Sequence, residues 1–136
     1  MNLNKESNIL NFPSEKIYKH ISNINNFEEI LGDDIKDFNV IDKEFFTIKI
    51  GSLPTINLKL ELFENQKQVK LVSTNPKIIF YFKLSIEKID DTKSKIKMNF
   101  TGKFSSMMEM MIKSPINKFA DEIINKIDKI DFNWYT

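Results

Sequence analysis

The last stretch of the chain limits its folds most. From about Ser106 to Ile130, apolar residues recur as Met108, Met111, Ile112, Pro115, Ile116, Phe119, Ile123, Ile127 and Ile130. Steps of three and four place them on one face of a helix. Lys113, Asn117, Lys118, Asp121, Asn125, Lys126 and Asp128 fall on the opposite face, which should meet water. A helix roughly 37 Å long cannot bury such a stripe by itself and requires an apolar partner of similar extent. Ahead of Pro115 the pattern changes. Met107, Met108, Met110, Met111 and Ile112 are apolar nearly all the way round, with only Glu109 between them. Pro115 predicts a kink, or an end to regular hydrogen bonding one turn earlier. Methionine is flexible and polarisable, so this segment suits core gap-filling, an adjustable cavity wall or contact with another subunit.

The partner is supplied by the middle of the chain, where the period is two. Phe38 and Val40 share one strand. Asp42-Lys43 turns the chain into Phe46, Ile48 and Ile50. Gly51-Ser52-Leu53-Pro54 leads to Ile56, Leu58, Leu60 and Leu62, and Asn65-Gln66 to Val69, Leu71 and Ser73. Asn75-Pro76 leads to Ile78, Phe80, Phe82, Leu84 and Ile86, and Asp90-Asp91 to Ile96, Met98, Phe100, Gly102 and Phe104. Short turns between alternating runs predict an antiparallel meander with one dry and one wet face. The intervening lysines read as a solvated, edge-protecting surface.

Ahead of the meander, Asn2 to Leu10 alternate and predict a strand, with Leu3 and Ile9 on one side. Phe12-Pro13-Ser14-Glu15 starts a helix, since Pro suits the first helical position and Glu15 complements the dipole. Ile17, Tyr18, Ile21 and Ile24 form its stripe. After Asn25-Asn26, Phe27, Ile30 and Leu31 predict a second short helix closed by Gly32. The order is therefore one strand, two short helices, roughly six more strands and a long helix. A twisted sheet of this size curls. The predicted fold is α+β: a helix-grip, with a curved antiparallel sheet of about seven strands wrapped around the long C-terminal helix, in a single domain spanning 1–136.

Composition narrows the chemistry. The formal charge is +1, which gives no bulk field for nucleic acid or anionic membrane. All 20 basic residues are lysine. Without arginine there is no bidentate fork for phosphate or guanine, which argues against nucleic-acid readout. There is no cysteine, so disulfides, thiolate metal sites and cysteine nucleophiles are excluded. This, with a polar start lacking a signal core, fits a cytoplasmic protein. No apolar run approaches the roughly 20 residues of a membrane span.

Few residues point to catalysis. His20, the only histidine, falls off the Ile17, Ile21, Ile24 stripe and is expected to face solvent. One histidine and no cysteine make a zinc site unsuitable, and no metal or other cofactor is expected. No glycine-rich phosphate loop occurs. The carboxylate pairs Glu28-Glu29, Asp33-Asp34 and Asp90-Asp91 sit at loop or helix edges, where charge is simply solvated. Ser73 is the main polar residue at an inward strand position, and Tyr18 could reach inward. Either could orient a ligand's polar end, or simply bond nearby backbone.

The order of elements, with the segment Pro13-Ser14-Glu15-Lys16-Ile17-Tyr18-Lys19-His20-Ile21-Ser22-Asn23 and Phe27 after it, resembles the START-like or SRPBCC superfamily. The likeness covers nearly the whole chain. It includes the polyketide-cyclase-like groups, and it implies a cavity for apolar or amphipathic molecules such as lipids. Some members carry a glycine-rich loop between early strands. Here that turn is Asp42-Lys43, so functions tied to the loop are not expected.

These readings combine into an expected function: binding of a small apolar or amphipathic ligand between the sheet and the long helix, without catalysis. The lining expected from the strands and helices is Phe27, Ile30, Phe46, Ile48, Leu58, Leu60, Ser73, Phe80, Phe82, Met98, Phe100, Phe104, Met108, Met111, Ile112 and Phe119. Phe27, Ile30 and Leu31 are placed at the entrance. A filled core serving a protein-interaction module is the first alternative, with a homodimer through Met107 to Ile112 or through the tail that carries Trp134 and Tyr135. A cyclase- or hydrolase-like enzyme is the second, and it requires a buried Asp, Glu, His or Lys.

Overall fold

The computed structural model describes residues 1–31 and 35–135, with side chains given up to residue 133. Strand β1 (Asn2–Glu6) precedes helix α1 (Ser14–Ile21), a single 3-10 turn (Ile24–Asn26) and the short helix α2 (Phe27–Ile30). Six strands follow: β2 (Ile35–Val40), β3 (Phe45–Ile50), β4 (Ile56–Leu62), β5 (Gln68–Ser73), β6 (Ile79–Lys88) and β7 (Ser94–Lys103). Helix α3 (Ser106–Lys129) and a final 3-10 turn (Phe132–Tyr135) complete the chain. The seven strands form one antiparallel sheet in the order β1-β7-β6-β5-β4-β3-β2. This is the α+β helix-grip that the alternation predicted. Gly32, Asp33 and Asp34, expected to close the second helix and carry a carboxylate pair, lie outside the described residues.

Sheet and helix meet through aromatic rings. Phe82 of β6 and Phe119 of α3 pack edge-on with centroids 5.2 Å apart, and Phe82 lies 4.8 Å from Phe100 of β7. Around them Leu58, Leu71, Leu84, Ile96 and Met98 from the sheet bury against Ile116, Ala120, Ile123 and Ile127 of α3. Gly102 of β7 has a steric role. A Cβ there would stand 2.5 Å from the Phe104 ring and 2.9 Å from the Phe80 Cβ, so only glycine lets Phe104 lie back over the strand. Phe104 stacks on Phe100 with rings nearly parallel, 6.1 Å apart.

The antiparallel order divides the molecule into two ends. At one end lie the β3–β4 turn, the β5–β6 turn and the link from β7 into α3. At the other lie the β2–β3, β4–β5 and β6–β7 hairpins and the end of α3. Helix α1 and the terminal 3-10 turn pack together there, with Phe12 and Phe132 edge-on at 5.3 Å. Edge strand β1 is tied to α3 by Lys5–Asp121 at 3.0 Å, and Asp128 accepts from the Asn8 backbone N–H at 2.9 Å. At the other edge, β2 carries a bulge between Lys36 and Asn39, with Asp37 at φ +55°. That irregularity interrupts the edge as a template for further pairing.

Four expectations change. First, β1 ends at Glu6 rather than Leu10. Ser7 turns inward and its hydroxyl accepts from the Ile96 N–H, so the alternation shifts phase. Leu10 is buried and Ile9, expected beside Leu3, is exposed. Second, of the outcomes read at Pro115, the helix is not cut short there: α3 continues through it to Lys129. Proline has no N–H, so the Met111 carbonyl lacks the donor four residues on, an interruption of the hydrogen bonding one turn earlier. Third, Val40 and Leu62 end their strands at the hairpin end and are exposed. Fourth, His20 is fully buried, for reasons given below.

The Phe119→Ala substitution removes the ring that joins sheet to helix and leaves a cavity. It should lower unfolding free energy by about 3–5 kcal/mol, read from urea denaturation.

Candidate ligand cavity

A cavity of about 230 Å³ opens at the end where α3 begins. Its floor is aromatic: Phe80 of β6, Phe100 of β7 and Phe104 of the connection. The α3 side contributes Met108, Met111, Ile112 and Ile116, and the two turns contribute Leu53, Pro54, Thr55, Ile56, Ser73, Asn75 and Ile78. Met108 and Met111 are 38% and 68% exposed, and Pro54 and Thr55 are also exposed, so the mouth is open to solvent. Ser105 fixes where the helix begins: its hydroxyl accepts from the Met108 N–H at 3.2 Å, a standard N-cap bond that orients the first turn.

The polar groups at the rim are largely engaged within the β5–β6 turn. The Ser73 hydroxyl donates to the Ile78 carbonyl at 2.6 Å and accepts from the Asn75 N–H at 3.3 Å. The Asn75 side-chain oxygen accepts from the Lys77 N–H at 2.9 Å. Of the two readings of Ser73, backbone bonding is therefore what the structure holds. No Asp, Glu, His, Lys or Tyr lines the cavity among the described residues. Tyr18 is half-buried against the core and is not part of the lining.

Of the residues expected to line a site, Ser73, Phe80, Phe100, Phe104, Met108, Met111 and Ile112 come together here. Phe27, Ile30, Phe46, Ile48, Leu58, Leu60, Phe82, Met98 and Phe119 are instead packed in the filled core beyond it. Phe27, Ile30 and Leu31 are fully buried and form no entrance. The entrance is built from the Leu53–Thr55 turn, which sequence reasoning treated only as a connection. The signal available there was Leu53: an apolar residue next to Pro54 in a turn has no strand face to occupy.

Elsewhere, two carboxylates with lowered pKa values serve the surface. Asp90 accepts from the Thr92 N–H at 2.8 Å, which holds its carboxyl below the usual range and closes the β6–β7 turn. Glu6 is likewise lowered by its bond to Lys95 at 2.8 Å. No cluster of three or more metal-ligating side chains occurs among the described residues. No helix among them is long and apolar enough to cross a membrane.

His20 corrects the sequence expectation. Helix α1 packs on the sheet with Ile17 and Ile21, but the terminal 3-10 turn gives it a second covered face. Phe132, itself buried, meets the His20 ring edge-on at 5.1 Å. The tail thus docks on its own domain through Phe132. His20 lies at the hairpin end and does not line the cavity. Burial pushes its pKa below 6.5, opposed by the negative charge of Glu29.

This architecture matches known structures. A START superfamily protein from Mycobacterium smegmatis superposes with a TM-score of 0.73 at 9% identity, over 94% of each chain. The fold is START-like. Norcoclaurine synthase from Thalictrum flavum, solved in complex with dopamine and hydroxybenzaldehyde, shares this START-like architecture. It gives a TM-score of 0.68 at 12% identity, over 96% of this chain and 88% of the synthase. A conserved protein from Geobacillus kaustophilus gives 0.60 at 12% identity, over 95% and 96%. At such identities the likeness establishes the fold alone. No protein-family model matches the sequence, and no curated protein matches it either.

The buried histidine makes stability pH-dependent. His20 binds a proton less readily in the folded than in the unfolded chain, whose value is about 6.5. Its contribution is complete above that pH and is lost as pH falls from there through the lowered folded value. The urea midpoint should fall between pH 7.5 and 5.5, and His20→Gln should flatten that dependence.

Proposed function

We propose that the protein binds a small apolar ligand in the cavity between the sheet and the first turns of α3. The observation that carries this reading is the lining. Three phenylalanines, two methionines and several aliphatic residues surround a volume whose only polar side chains are Thr55, Ser73 and Asn75 among the described residues. An apolar wall with few oriented polar groups is the usual chemistry of a binding pocket. Each Å² of ligand surface removed from water contributes about 25 cal/mol. The volume lies below the roughly 300–1,000 Å³ of drug-sized sites. That favours about one to three small rings or a short alkyl chain over a sterol, with the methionines able to move aside for the larger of these. The START-like fold is shared with a synthase that holds small aromatic molecules. Here, however, the absence of a titratable group in the lining supports binding rather than bond-breaking.

The test is titration with a neutral dye, N-phenylnaphthylamine, with decanol as competitor, alongside native mass spectrometry of the purified protein. Ile112→Trp projects a large ring into the mouth. It should weaken dye binding at least about tenfold, a loss on the order of 1.4 kcal/mol, with the urea midpoint little changed. No bound or bindable apolar molecule, or equal affinity in the tryptophan variant, would refute the reading.

A second reading rests on Met107 and Met110, which are 75% and 83% exposed and do not line the cavity. Adjacent exposed apolar side chains of this kind mark contact surfaces. This reading expects a concentration-dependent homodimer that Met110→Asp dissociates, as seen by sedimentation velocity. A monomer at all concentrations removes it.

A further inference from the structure

We propose that the methionines at the cavity mouth form an oxidisable gate. Oxidation of Met108 and Met111 by a peroxide closes the site to apolar ligands, and reduction of the sulfoxides reopens it. The inference rests on the cavity being the binding site and adds a redox control to it.

The distribution of methionine carries the argument. The chain has six methionines. Met107, Met108, Met110 and Met111 sit in the first two turns of α3 and are 75%, 38%, 83% and 68% exposed. Met98 is 1% exposed in the core, and Met1 is partly buried against it. Thioether oxidation follows solvent access, so a soluble oxidant acts at this one segment first. Within it the geometry divides the four sulfurs into pairs. Met108 and Met111 line the cavity, while Met107 and Met110 do not.

The chemistry closes without further components. The thioether sulfur attacks one oxygen of hydrogen peroxide, the O–O bond breaks, and the sulfur–oxygen bond forms. The second oxygen leaves as water, with sulfur oxidised and peroxide reduced by two electrons. The product is a polar, chiral side chain with a strong acceptor oxygen. Facing inward, that oxygen meets phenylalanine rings and aliphatic groups, with the Ser73 hydroxyl already donating to the Ile78 carbonyl and Thr55 and Asn75 the other polar residues of the lining. Facing outward, it withdraws the side chain from the wall. Either arrangement removes apolar contact from the ligand or sets a strong acceptor in a largely apolar wall. Methionine sulfoxide reductases with a dithiol return the thioether, releasing the oxygen as water and the dithiol as a disulfide.

The experiment measures N-phenylnaphthylamine affinity on the full chain before oxidation, after hydrogen peroxide and after reductase treatment. Sulfoxides are mapped by peptide mass spectrometry. Two double variants separate the pairs, M107L/M110L and M108L/M111L, leucine keeping apolar volume. Oxidised wild type and oxidised M107L/M110L should bind the dye at least about tenfold more weakly than their reduced forms, with recovery on reduction. M108L/M111L should bind equally in both states, whatever its own affinity. Unchanged affinity with Met108 and Met111 mapped as sulfoxides overturns the gate and leaves the binding reading standing. So does loss on oxidation in M108L/M111L, or a loss that tracks a collapse of the urea midpoint. Failure of the reduced protein to bind dye overturns the binding reading, and the gate with it.

Discussion

The contact between Phe82 and Phe119 is the constraint on which the other packing depends. It joins a period-two surface to a period-3.6 surface at the one place where large rings from both can interlock. From there toward the hairpin end, Ile123 and Ile127 continue the buried seam against the sheet. Toward the other end the seam loosens. Beyond Ile116 the helix offers only half-buried Ile112 and the more exposed Met111 and Met108. The sheet's largest side chains there, Phe80, Phe100 and Phe104, lie against one another at centroid distances of 5.6 to 6.4 Å. These rings line one side of the cavity, and Met108, Met111, Ile112 and Ile116 of the helix line the other.

Gly102 is part of the same arrangement. Any side chain there would clash with the Phe104 ring and the Phe80 Cβ, and both residues line the cavity. The placement of these two aromatics therefore depends on an absent Cβ. Such a dependence involves sterics between residues two apart on one strand, and binary patterning does not carry it.

That contrast describes what could be read from the chain. Alternation from Phe46 through Phe104 and the stripe from Ile116 to Ile127 each had only one physical solution. A buried face has to be covered, so the fold was legible to the order of its elements. Two kinds of information were missing. Turn residues such as Leu53 and Ile78 acquire a role only when distant turns converge at one end, which no local period encodes. His20 was misplaced because α1 was assigned a single covered face. The second face is created by Phe132, more than a hundred positions away, whose docking is a tertiary event. Of the strand residues expected in the site, Ser73, Phe80 and Phe100 line the cavity and the rest are buried in the core. Ile48 and Leu58 sit opposite Ile56 and Ser73 in the register yet face the core, a distinction that alternation does not make.

Placement of the ionisable groups then separates binding from chemistry within one architecture. Norcoclaurine synthase from Thalictrum flavum has the same fold with dopamine and hydroxybenzaldehyde bound, and a fold by itself does not select between binding and catalysis. Selection lies with the side chains that face the enclosed space. Here the only histidine is held between α1 and the terminal turn, at the end of the sheet opposite the cavity. The lysines and carboxylates with described partners pair across the outer face and the edges, as in Lys97–Glu87 and Lys5–Asp121. A proton donor or acceptor at the cavity would have to enter from its mouth. Met108 and Met111 stand at that mouth, and a thioether transfers no proton at neutral pH but changes character on oxidation. The control proposed for this site is accordingly a change in its own polarity.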